Sequence, residues 1–87
     1  MYVPIGGDMA VREMSIVGVF DLDNTTWSKK TRDFLRAAEE QGEVVSVTDD
    51  IPKAFVLTEE FGIRHVYLTQ FSAATLEKRI STGKSAF

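Results

Sequence analysis

The sequence predicts an α+β fold: a small, mainly antiparallel β-sheet with one longer central helix and a short C-terminal helix. Three observations carry this. A segment with helical spacing, 29–41, lies between segments rich in β-branched and aromatic residues. A run of short strand-like segments joined by turn signals follows it, and a second helical segment comes after the last of them. The 87 residues set the scale of one domain, expected over 1–81, with 82–87 as a flexible tail.

Tyr2-Val3-Pro4-Ile5 is a short strand ended by the turn signal Gly6-Gly7-Asp8, and Met9-Ala10-Val11 can pair back on it as a hairpin. Pro4, which lacks an N–H, suits an edge. Ser15-Ile16-Val17-Gly18-Val19-Phe20 is the clearest strand and runs into Asp21-Leu22-Asp23-Asn24. Ser28 then stands as an N-cap for a helix over Lys29 to Gln41. Thr31, Phe34, Leu35 and Ala38 form its apolar face, and Gly42 is the residue expected to take positive φ after the last turn. Three more strands follow at Glu43 to Thr48, Ala54 to Thr58 and His65 to Thr69, with turns at Asp49-Asp50-Ile51-Pro52 and Gly62. Ser72 caps the last helix, Ala73 to Ile80, whose Ala73, Leu76 and Ile80 face inward.

Composition mainly excludes. Without cysteine there is no disulfide framework, thiolate metal site or thiol nucleophile, so stability must come from packing or self-association. A homo-oligomer is the expected partner state. The longest apolar stretch, Ser15 to Phe20, is far below the ~20 residues of a membrane span, and Met1-Tyr2-Val3-Pro4 lacks the basic start of a signal peptide, so a cytoplasmic location is expected. Ten Lys and Arg against thirteen Asp and Glu give a net charge of −3, so any nucleic-acid contact must come from a locally basic face.

Several short motifs carry chemistry. Val19-Phe20-Asp21-Leu22-Asp23-Asn24-Thr25 resembles the first motif of the haloacid dehalogenase phosphatases, in which one Asp attacks phosphorus and a second serves as acid and base beside magnesium. Val47-Thr48-Asp49-Asp50 imitates the later acidic pair of that family. The phosphatase core also needs further βα units and a Lys between the two motifs, whereas here one helix separates them. Asp23-Asn24 equally reads as a turn whose side chains bond their own backbone. Gly83-Lys84-Ser85 matches the end of a P-loop, but Lys78 stands where that loop requires glycine. His65, the only histidine, has no nucleophile or second histidine in a supporting pattern and reads as structural. No metal site and no cofactor are expected, and the chain is read as a non-enzyme.

The long helix has reversed charge polarity. Lys29, Lys30, Arg32 and Arg36 lie in its first two turns and Glu39 and Glu40 at its end, opposite to what the macrodipole favours. A helix N-terminus already presents free N–H groups to anions, so added lysines suit a phosphate contact. The competing reading is a solvated face with Arg36 and Glu40 as an i,i+4 pair. Arg12, Lys53 and Arg64 supply the remaining cations of the strand-and-turn region.

The string as a whole carries a broader likeness. Ile5-Gly6-Gly7-Asp8, Val17-Gly18-Val19-Phe20-Asp21-Leu22-Asp23, Ser28-Lys29-Lys30-Thr31-Arg32-Asp33-Phe34-Leu35, Pro52-Lys53-Ala54-Phe55-Val56-Leu57-Thr58, Val66-Tyr67-Leu68 and Ser72-Ala73-Ala74-Thr75-Leu76 follow in order. This series resembles the RemB branch of the RemA/RemB family, bacterial regulators of extracellular-matrix and biofilm genes, over residues 2 to about 80. The resemblance implies an oligomeric transcriptional regulator, in RemA-like proteins a ring, that contacts poorly specific DNA through basic side chains. Arg12 and Lys53 match basic positions of RemA-like sequences, and Lys29, Lys30 and Arg32 complete the expected DNA-binding set. The Arg-Arg run that RemA-like sequences carry before Lys53 falls here on Asp49-Asp50. The alternative is therefore an oligomeric protein-interaction modulator that does not bind DNA directly, and the phosphatase ranks third.

Overall fold

The computed structural model describes residues 2–22 and 29–85, with side chains described through residue 80. Strands β1 (Tyr2–Gly6) and β2 (Met9–Arg12) are followed by a 3-10 turn at Glu13–Ser15 and strand β3 (Ile16–Asp21). Helix α1 (Lys29–Glu40) leads to β4 (Val44–Ser46), β5 (Ala54–Glu60), β6 (Ile63–Thr69) and helix α2 (Ala73–Ser85). This is the predicted α+β class. β1 and β2 form an antiparallel hairpin, and the other strands form a four-stranded sheet in the order β3-β5-β6-β4. β5 runs antiparallel to both β3 and β6, while β4 pairs parallel to β6 through Val44–Val66, Val45–Tyr67 and Ser46–Leu68.

The elements differ from expectation mainly at their ends. β5 and β6 reach two residues further toward each other because Phe61 and Gly62, with φ of 55° and 76°, make a two-residue turn of the type that matches strand twist. β4 is shorter than the predicted Glu43 to Thr48. α2 continues through Ser85, so residues 82–85, expected in the tail, extend the helix. The expected cap Ser28 and the acidic-turn residues Asp23 and Asn24 lie outside the described residues.

Local chemistry explains the boundaries that were predicted. α1 ends in paired 6→1 and 5→2 bonds, with the Glu43 N–H donating to the Ala38 carbonyl at 2.9 Å and the Gly42 N–H to the Glu39 carbonyl at 3.0 Å. Gly42 holds φ of 72° to close that cap, a conformation that penalises a side chain. At the start of α2 the Thr75 N–H donates to Ser72 Oγ at 3.1 Å, the expected capping bond.

The sheet is covered on both faces, which is why β5 reads Ala54-Phe55-Val56-Leu57 without a polar break. One face carries Ala54 and Val56 and packs against Val3, Ile5 and Val11 of the hairpin and Ala73 and Leu76 of α2. The opposite face carries Phe55 and Val66 and packs against Ala38 of α1, with Phe34 and Leu35 at the margin. Phe20 and Phe34 both stack on Phe55, at centroid distances of 4.8 and 6.3 Å.

A buried hydrogen bond locks the hairpin to the sheet. Thr69, fully buried in β6, donates its hydroxyl to the Ile5 carbonyl and accepts the Phe71 N–H at 3.1 Å. Gly6 passes so close that a Cβ there would lie 3.0 Å from Val47 Cγ2 and 3.1 Å from Thr69 Oγ1, and its φ of 143° also disfavours any side chain. Arg79 of α2 adds a bond to the Pro4 carbonyl at 3.3 Å while lying over the Phe71 ring.

Two stability predictions follow from these contacts. Thr69→Val keeps the shape but strips the Ile5 carbonyl and Phe71 N–H of their partner, and should cost about 1–3 kcal/mol in a urea titration. Phe61→Asn replaces an 87% exposed aromatic held at positive φ by a residue suited to that turn. It should raise stability by roughly 1 kcal/mol, seen as an upward Tm shift of about 4–8 °C.

Candidate functional site

The fold sorts the cations to two ends of the sheet. At the end formed by the β5–β6 turn, Arg12 pairs with Glu60 at 3.1 Å and Arg64 with Glu43 at 3.5 Å. Arg12 also reaches the Met14 sulfur at 2.8 Å, and Arg64 lies over the Phe34 ring. Each guanidinium thus has a carboxylate partner from a distant part of the chain.

The other end collects different residues. There β3 finishes at Asp21, and the Leu22 N–H donates to the Lys53 carbonyl while the Lys53 N–H donates to the Thr69 carbonyl, each at 2.8 Å. These bonds set Lys53 at the close of the turn entering β5. Arg32 of α1 shares a groove with Leu22 and Pro52, which puts the first turn of α1, with Lys29 and Lys30, at this same end. Lys29, Lys30, Arg32 and Lys53 are all exposed, and among the described residues none of them forms an ion pair. Of the five basic residues expected to act together, four share this end and Arg12 lies at the opposite one.

Carboxylates are interspersed with these cations. Asp21, Asp33, Asp49 and Asp50 are exposed at the same end, so the four cations there meet four acids and no large positive field builds up. Asp50 is held by its N–H donating to Thr48 Oγ1 at 3.0 Å, and Ser46 Oγ donates to the Thr48 carbonyl at 2.8 Å. This local bonding shapes the turn that presents Asp49, Asp50 and the 88% exposed Ile51.

The described acids of the phosphatase-like motif, Asp21 and Asp49-Asp50, leave the sheet from different strands. β3 and β4 occupy opposite edges of the sheet, three strand spacings or roughly 14 Å apart, so Asp21 and the Asp49-Asp50 turn start from well-separated strands. Among the described residues, no three His, Asp or Glu side chains converge as a metal site. No helix among them is long and apolar enough to cross a membrane.

The groove beside α1 escaped sequence reasoning. It encloses about 490 Å³ between the helix and edge strand β4, with Leu22, Val44, Pro52 and Leu68 as its apolar floor. Arg36 and Glu40, read as a possible i,i+4 pair, form no ion pair with each other; both line the groove instead. The visible signal was the stripe Arg32, Leu35, Arg36, Glu39, Glu40 along one helix face, whose neighbour could not be named before the fold was known.

The RemA-like family, described as extracellular matrix regulatory protein A-like, matches residues 2–80. The chain is 32% identical over 79 residues to extracellular matrix regulatory protein B of Bacillus subtilis (strain 168), covering 91% of this chain and 89% of that relative. The protein described here belongs to the RemA-like family of extracellular matrix regulatory proteins.

Proposed function

We propose that this protein is an oligomeric transcriptional regulator of extracellular-matrix genes that touches DNA through phosphates rather than bases. The observation that carries this reading is the separation of cations. Arg12 and Arg64 are paired with carboxylates at one end, while among the described residues Lys29, Lys30, Arg32 and Lys53 at the other form no ion pair. An exposed, unpaired Lys or Arg can exchange its counterions for a phosphate, which is the main source of sequence-independent affinity. Lys29 and Lys30 of the first turn of α1 belong to the same surface.

One subunit makes a weak contact by itself, because four aspartates accompany the four cations. Several copies in one homo-oligomer, arranged as a ring or otherwise, make the second and later contacts intramolecular, so avidity replaces intrinsic affinity. No helix is offered here as a major-groove reader, and phosphate contacts fix position without reading sequence. Arg12 stays outside this surface, held at the far end by Glu60. The second reading, an oligomeric modulator of a partner protein without DNA contact, is favoured by one feature: Ile51 is exposed between Asp49, Asp50 and Lys53, as a protein partner would use it.

Fluorescence-anisotropy titration of AT-rich duplex DNA at several salt concentrations separates the two. The DNA reading expects log K to fall linearly with log salt, and Lys29→Glu with Lys30→Glu should weaken binding to all sequences alike and flatten the slope by about 2. Asp49→Arg with Asp50→Arg should tighten binding and steepen the slope. A wild-type oligomer without salt-dependent binding would favour the partner-protein reading instead.

A further inference from the structure

The floor of the groove between α1 and β4 is apolar and only half covered. Leu22, Leu35, Val44, Pro52 and Leu68 are all half-buried. On this face of the sheet α1 seals Phe55 and Val66, but it leaves Leu68, the cross-strand partner of Phe55, half-buried. The wall above this floor carries charge in a fixed order. Arg32 and Arg36 stand one turn apart toward the start of α1, Glu39 and Glu40 follow toward its end, and all four are exposed. From Arg32 to Glu39 is about 10.5 Å along the helix axis. With a volume of about 490 Å³, the groove has the size of a small-molecule site.

This arrangement sets three demands on an occupant: an anion at the arginine end, an apolar body over the floor, and hydrogen-bond donors at the glutamate end. A fatty-acid-like anion would lay its tail against the carboxylates, and a polyamine or basic peptide would meet the arginines. An α-amino acid carries its two charges on one carbon, too close together to reach both ends. A purine nucleotide meets all three demands. Its phosphate takes charge-assisted bonds from guanidiniums, and its planar base covers apolar side chains. Between the purines the glutamates decide. Guanine presents two adjacent donors, N1–H and N2–H, which match the two oxygens of one carboxylate; adenine presents a donor beside an acceptor, and the acceptor is repelled.

We propose that the groove beside β4 binds a guanine nucleotide, with Arg32 and Arg36 on the phosphate, the base over Val44 and Leu68, and the Glu39-Glu40 pair on its N1–H and N2–H edge. The inference goes beyond the DNA reading and stands without it, because the groove and the exposed lysine-bearing end share only Arg32. Where both are used, a bound nucleotide occupies Arg32 and lowers the affinity for DNA.

The test is calorimetric titration of the full chain with GMP, AMP, guanosine and inorganic phosphate. GMP should bind once per chain, and roughly tenfold or more tighter than each of the other three. Arg32→Ala with Arg36→Ala should bring GMP down to the level of guanosine. Glu39→Gln with Glu40→Gln should turn the preference toward AMP, because an amide offers an acceptor beside a donor, the complement of the adenine edge. A gain in AMP affinity cannot come from misfolding, so this variant keeps the test decisive. Equal affinity of the wild type for GMP and AMP, or phosphate alone binding as tightly as GMP, would overturn the site. So would GMP binding unmoved by the arginine substitutions, a base preference unmoved by the glutamine substitutions, or no binding of GMP at millimolar concentration.

Discussion

Thr69 is the joint on which the rest of the architecture hangs. Its hydroxyl donates to Ile5 and accepts from Phe71, its carbonyl accepts the Lys53 N–H, and its own strand is the central β6. One buried residue thus ties the hairpin, the turn entering β5 and the turn entering α2 to the sheet. Because the groups it satisfies are backbone groups in a buried setting, the alternative to these bonds is desolvated N–H and C=O without partners, which is expensive. The cation-bearing end inherits its geometry from this joint, since Lys53 is fixed between Thr69 on one side and Leu22 on the other.

With the hairpin docked, both faces of the sheet are covered, while large side chains such as Met14, Val17 and Phe61 stay exposed at its margins. The hairpin and α2 cover one face and α1 the other, so β5 and β6 are buried on both sides while β3 and β4 remain edges. The edges are handled differently. β4 is only three residues long, and β3 carries a bulge between Ile16 and Gly18 that interrupts its ladder; short length and bulges both reduce the tendency of an edge to recruit another strand.

Most of the elements were legible because each depends on local chemistry. The Ser72 cap, the Gly42 terminus and the unbroken apolar run of β5 each announce themselves within a few residues. The parallel pairing of β4 with β6 did not, because alternation within a strand says which faces are buried but not which strand is its neighbour. The hairpin β5–β6 inserts between β3 and β4, so α1 has to carry the chain across the sheet from one edge to the other. The site was less legible for the same reason. Arg12 and Glu60 are 48 residues apart in sequence, and nothing near Arg12 indicates that it is spoken for, while Lys53 joins the lysines of α1 only through the strand order.

The reversed polarity of α1 connects stability to function. Each cation at the N-terminus and each anion at the C-terminus costs some tenths of a kcal/mol against the dipole, and the helix has no acidic residue in its first described turn to offset them. What holds α1 is therefore tertiary: Ala38 buried against Phe55 and Val66, Phe34 on the Phe55 ring, and a fully bonded C-terminal cap. A helix secured by its inner face is free to carry an unfavourable charge order on its outer face. That order places lysines at the positive end of the helix dipole, where a phosphate would be welcome, and gives the neighbouring groove a wall that is basic toward one end and acidic toward the other. Both features cost the isolated helix stability, and the lysines at its N-terminus become favourable only when a charge from outside the subunit, such as a phosphate, is placed beside them.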